Sequence, residues 1–104
     1  MPVMEISVLP IGTETASVSS YIARAVGILE QRKEIKYRLT PMSTVIEAAS
    51  VAELLMIARK MHEAVLKSGV VRAVTTIRID DRKDRKISLD QKIDSVKKKL
   101  RKSR

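Results

Sequence analysis

The stretch EIKYRLTPMSTVIEAAS, Glu34 to Ser50, decides the fold. Ile35, Tyr37 and Leu39 alternate with Lys36, Arg38 and Thr40, which is the period of a half-buried strand. Pro41 cannot donate to a ladder and ends the run. STVIEAA then gives another strand, and the short connection from Pro41 to Ser43 makes the two an antiparallel hairpin. The hairpin also raises a chemical question. Thr44 and Glu47 put a hydroxyl and a carboxylate into a strand, and their spacing of three turns them to opposite sides. A buried carboxylate needs a partner. Arg38 or Arg78 across the sheet is one candidate for Glu47, and an amino group on a ligand near Ser7 and Thr76 is the other.

Working outward, VMEISVLPIG (Val3–Gly12) alternates, with Met4, Ile6 and Val8 on one side and Glu5, Ser7 and Leu9 on the other. It reads as a strand closed by Pro10 and Gly12. TETAS follows as a polar loop. Val18, Ile22, Ala25, Val26 and Leu29 recur at helical spacing behind Ser17 as N-cap. After the hairpin, Ser50 and Glu53 have capping-box spacing. The helix they open carries Leu54, Leu55, Ala58, Met61, Val65 and Leu66, and Gly69 suits its C-terminal turn. RAVTTIRID (Arg72–Asp80) is a fourth strand, with Thr75, Ile77 and Ile79 opposed to Val74, Thr76, Arg78 and Asp80. Beyond the charged loop DRKDRK, Leu89, Ile93, Val96 and Leu100 mark an amphipathic last helix with a basic outer face.

The order βαββαβ followed by a helix predicts an α+β, ferredoxin-like sandwich: a four-stranded antiparallel sheet with two helices on one face. Residues 1–88 form that unit, and the helix of residues 89–104 belongs to the same domain. The second sheet face should carry Ser7, Leu9, Lys36, Arg38, Val45, Glu47, Val74, Thr76 and Arg78. Its apolar members favour a cover, either the last helix or another subunit; a solvated face is the alternative.

Composition narrows the function. The chain has 104 residues and a net charge of +9, with no cysteine, phenylalanine or tryptophan and only two tyrosines. The absence of cysteine rules out disulfides, thiolate metal sites and a cysteine nucleophile. No apolar run approaches a membrane span, and the N-terminal stretch lacks a basic n-region and is interrupted by Glu5. The expectation is therefore a cytoplasmic protein without a membrane segment. The charge is local. Residues 82–104 hold eleven Lys/Arg against three Asp, which leaves the body near neutral. A basic tail of this kind can touch RNA or another polyanion, or simply be solvated.

Catalytic chemistry is poorly supplied. His62 is the single histidine, and it flanks an apolar helical stripe, a position more typical of a structural histidine than of a ligand. Asp80, Asp81 and Asp84 are interleaved with Arg82 and Lys83, which neutralises them as metal ligands. Nothing matches a phosphate loop, a nucleophile elbow or a zinc-protease helix. Binding is better provided for. Thr13, Ser17, Ser19 and Ser20 gather where the first strand gives way to a helix N-terminus, whose free N–H groups suit anions and polar heterocycles.

VLPIGTETASVSSYIA, YRLTPMSTVIEA and MHEAVLKSGVVRAVTTIRIDDRKD, in this order and spacing, resemble the small thiamine-binding protein family, long known only as a conserved group of uncharacterised proteins. The resemblance runs from Val3 to about Leu100. The matching positions are Pro10 and Gly12; Ser17, Ser19, Ser20 and Tyr21; Pro41, Met42, Thr44 and Glu47; His62; and Arg72, Thr75, Asp80, Asp81, Arg82 and Asp84. RKE stands where the family often has a glycine before the second strand, and the strongly basic tail is atypical. The resemblance implies a ferredoxin-like fold, a homotetramer built as a dimer of dimers, and binding of thiamine or its pyrimidine half without catalysis or a cofactor. It would make Glu47 the acceptor for the pyrimidine amino group, with hydroxyls such as Thr44 or Ser19 and the serine-rich segment completing the ring contacts. Tyr21 would wall the pocket, and Ser17, Ser20, Met42, His62 and Thr76 are further candidate contacts. The alternatives are an RNA-associated module using the basic tail, or a regulatory module for another small metabolite. Against the first, neither tyrosine falls on the bare face, where base stacking would need it.

Overall fold

The computed structural model describes residues 1–12 and 19–103. Seven elements follow in order: β1 (Val3–Ile11), α1 (Ser19–Glu30), β2 (Lys36–Leu39), β3 (Thr44–Glu47), α2 (Val51–Leu66), β4 (Arg72–Asp80) and α3 (Leu89–Ser103). The strands form one sheet in the order β2-β3-β1-β4. Every neighbouring pair is antiparallel, as the ferredoxin-like reading requires.

The register follows the alternation. Met4, Ile6 and Val8 of β1 are buried, and Ile46 of β3 sits beside Met4 in the ladder. They close on Ala25, Val26 and Leu29 of α1 and on Leu54, Ile57, Ala58, Met61 and Val65 of α2 in one core. These helix positions recur every three or four residues, so each helix buries a single stripe. Ser50 caps α2, its hydroxyl accepting from the Glu53 N–H at 3.1 Å. The Glu53 carboxylate lies 3.8 Å from Arg32. The chain leaves α2 through Lys67, and Gly69 takes a φ of +101°, a backbone that side-chain-bearing residues rarely adopt.

The last helix is one of the two covers that the sequence allows for the second sheet face, and only its first turn serves as one. Ile87 and Leu89 bury against Val3, with Val45 beside them, whereas Ile93, Val96 and Leu100 are 42%, 58% and 56% exposed. The rest of the stripe is therefore left uncovered by its own sheet. Polar ties hold the docked end. Ser88 Oγ accepts from the Gln91 N–H at 3.1 Å, Asp90 pairs with Lys36 at 3.1 Å and with Arg38, and Lys92 pairs with Asp80. The Asp90 carboxyl is held below the ordinary aspartate range, first by the Lys36 hydrogen bond and then by the Arg38 charge.

Leu54 is fully buried, so Leu54→Ala should destabilise the fold by about 2–5 kcal/mol in urea unfolding. The lowered carboxyl of Asp90 gives a signed pH effect. Its ion pairs support the fold above the unfolded-state aspartate pKa of about 3.9 and are lost as pH falls through the lower folded value. Asp90→Asn should therefore flatten the acid limb of the stability curve below about pH 4. Because the pairs are exposed, the difference should be small and should shrink in high salt.

Candidate functional site

A cavity of about 340 Å³ opens between the helix-facing side of the sheet and α1. It lies at the small end of the roughly 300–1,000 Å³ range usual for ligand sites. The wall from β1 runs from Ile6 to Leu9, and α1 contributes Ile22, Ala25 and Val26. Met61 of α2 closes the inner end, and the β2–β3 turn, Leu39 to Thr44, forms the mouth. The walls are mostly apolar. Thr44 is the hydroxyl-bearing residue on the helix-facing side of the sheet, and Thr40 and Ser43 stand in the turn, whereas the Ser7 side chain alternates to the other face.

The mouth is built by one threonine. Thr40 Oγ1 accepts from the Ser43 N–H at 3.0 Å and donates to the Ser43 carbonyl at 2.9 Å. It also accepts from the Met42 N–H at 3.3 Å. Ser43 Oγ donates to Glu5 at 3.2 Å. The turn is thereby fixed with Met42 projecting from it, 86% exposed. The Thr44 side chain is buried on the wall, and among the described residues it is committed to no other side chain. It is the polar group best placed to meet a ring inside the cavity.

The structure separates the residues that the sequence grouped. Thr44 and Met42 line the cavity. Glu47 faces the opposite side of the sheet, 5% exposed, and its Oε1 accepts from the Leu89 N–H at 3.3 Å. Neither expected arginine answers it: Arg38 pairs with Asp90, and Arg78 lies 3.6 Å from Glu5. The acid in the strand instead caps α3, where a carboxylate meets free N–H groups and the positive end of the helix dipole. Thr76 is exposed on that same bare face, opposite Ser7 in the ladder. Tyr21 packs against the main core without lining the cavity. His62 Nδ1 lies 2.6 Å from Thr75 Oγ1, tying α2 to β4. Ser19 and Ser20 stand exposed at the start of α1, and Ser17 falls outside the described residues. In the sequence Ile22, Ala25, Val26 and Met61 show only the spacing of a core stripe. Apolar residues that line a cavity and apolar residues that fill a core share one periodicity, so no sequence signal marked them.

Among the described residues no cluster of three His, Asp or Glu side chains could hold a metal ion, and no helix is long and apolar enough to cross a membrane.

Comparison with known proteins places the molecule. The family model described as thiamine-binding protein matches residues 4–97. The UPF0045 protein YqgV of Bacillus subtilis is 46% identical over 103 residues, covering 96% of this chain and 98% of that one. The solved structure of the Methanocaldococcus jannaschii protein MJ1052 superposes with a TM-score of 0.82 at 32% identity, over 91% of this chain and 94% of the other. A Thermotoga maritima protein with a proposed role in thiamine biosynthesis or salvage superposes with a TM-score of 0.75 over 91% of this chain and 97% of its own. At 21% identity that likeness shows the shared fold. With a family match over nearly its whole length and relatives this close, the chain belongs to the thiamine-binding protein family.

Proposed function

We propose that the protein binds thiamine through its pyrimidine half, without catalysing a reaction, as a carrier, buffer or sensor. The observation that carries this reading is the apolar cavity with the buried Thr44 hydroxyl on its wall, in a chain of this family. The flat, methyl-bearing aminopyrimidine suits apolar walls. Thr44 offers it a hydroxyl that can donate or accept. The cationic thiazolium would remain at the mouth beside Met42, where it keeps its water, since burying an unpaired charge is costly. Ser19, three residues before Ile22 and so on the same side of α1, would on this reading contribute a further contact near the mouth. On this reading Glu47 serves the ligand only indirectly, by fixing α3.

Calorimetric titration with thiamine, its separate pyrimidine and thiazole halves and an unrelated cationic heterocycle tests the reading. Thiamine and the pyrimidine half should bind, and the control should not. Thr44→Val keeps the shape and removes the hydroxyl, so it should weaken binding by about fivefold to a hundredfold. Glu47→Gln keeps an acceptor for Leu89 and should leave affinity unchanged. The reverse pattern, loss in Glu47→Gln with Thr44→Val unaffected, would move the ligand to the bare sheet face and sink the cavity assignment.

We further propose that the chain assembles as a homotetramer, a dimer of dimers. Such an assembly needs two separate self-complementary surfaces, and two apolar surfaces are available. One is the free edge strand β4, nine residues long, with Ile77 and Ile79 exposed; an unprotected edge of this length invites pairing. The other is the bare face and its overhanging helix, with Leu9, Val74, Val96 and Leu100 exposed. Light scattering after size exclusion should report four copies of the 11.7 kDa chain. Ile77→Asp and Val96→Asp should each stop assembly at a dimer, and a monomeric parent protein would defeat the proposal.

A further inference from the structure

A second concavity, about 620 Å³, lies between the 81–88 loop and α3. Asp80 on its wall pairs with Val3 of β1, whereas the ligand cavity meets β1 from Ile6 onward. The two sites therefore sit toward different ends of the sheet. Arg82, Arg85 and Lys86 line the cleft from the loop, and Lys92 and Lys98 line it from α3. Two of these cations are engaged, Arg82 with Asp84 and Lys92 with Asp80. Arg85, Lys86 and Lys98 are exposed and make no ion pair among the described residues. The residues Ile93, Val96 and Leu100 of the α3 stripe do not line the cleft, where the helix presents Gln91, Lys92, Asp94, Ser95 and Lys98; with Asp80, two carboxylates stand against five cations.

We propose that this cleft binds the phosphate backbone of a nucleic acid, without reading its sequence. Unpaired cations on two walls of an open, polar groove are the charge complement of a polyanion. The basic run continues past the cleft along α3 through Lys102. The fifteen residues of that helix extend for about 22 Å, which matches a succession of phosphates better than one. A lipid surface would need the apolar stripe beside the cations, and the stripe turns elsewhere. No aromatic side chain lines the cleft, so base stacking is not available and both duplex and single strand should be accepted. Affinity then rests on released counterions and falls steeply with salt.

The test is fluorescence anisotropy of the full chain with a labelled short RNA, single-stranded and duplex, across a salt series. Both forms should bind, with dissociation constants within a few-fold of each other. Substituting Arg85, Lys86 and Lys98 together by Gln should weaken binding and reduce the slope of log K against log salt by about 2 to 3. Arg24, Lys33 and Lys67, all exposed and outside the cleft, changed together to Gln remove equal charge and should leave the slope nearly intact. Thiamine titration of the cleft variant should match the parent, which shows that it is folded. No RNA binding, or an equal loss in the two triple variants, would overturn the proposal. Tighter binding to phosphatidylserine vesicles or to poly-glutamate than to RNA would do the same and would point to a membrane or an acidic polypeptide instead.

Discussion

The burial of Met4, Ile6 and Val8 against two helices is the contact on which everything else rests. β1 is a central strand, paired along its length with β4 and over its first half with β3. Its alternation therefore sets which side of the neighbouring strands faces the helices. A slip of one residue would turn Glu5 and Ser7 inward and expose three large apolar side chains. The same constraint divides the chemistry. Side chains on the helix-facing side can line a cavity under α1. Those on the other side meet α3 or solvent.

That division explains the two unusual residues of β3. Thr44 belongs to the helix-facing side, buried at the cavity wall. Glu47 belongs to the other, where α3 begins and free N–H groups await an acceptor. Both are buried polar groups in a four-residue strand, and neither position would be comfortable without a use for its oxygen. The pairs Asp90–Arg38, Asp90–Lys36 and Lys92–Asp80 then fix the first turn of α3 by exposed charge, which orients more than it stabilises.

α3 is an overhang rather than a lid. One end is docked by two buried apolar residues and a cap, and the rest presents an apolar stripe on one side and cations on another. Those two faces make different demands. The stripe calls for apolar surface, which a second copy of the chain would supply in the proposed assembly, and the cations call for a polyanion. The two can be met together, because the cleft opens away from the stripe. A tetramer would then carry four clefts, and multivalent attachment would raise the affinity for a long polyanion without any new contact.

The alternation of Met4-Ile6-Val8 and Ile35-Tyr37-Leu39, the turn at Pro41, and the capped stripes of α1 and α2 are local patterns. The sequence by itself therefore determined the element order, the antiparallel hairpin and the face on which each strand residue lies. The family was legible for the same reason, since its motifs are short runs in fixed order. The site was legible only in part. Thr44 carried a signal because a polar residue in a strand departs from pattern, and Met42 entered through the family resemblance alone. Ile22, Ala25, Val26 and Met61 obey the helical pattern and so carried none. Glu47 departed from pattern as well, but its partner is the backbone N–H of Leu89, forty-two residues along the chain. Backbone groups leave no mark in a sequence. Only the tertiary structure could bring that amide to the carboxylate, leave a gap beneath α1, and leave the stripe of α3 uncovered, because each depends on how packed elements meet rather than on the period of any one of them.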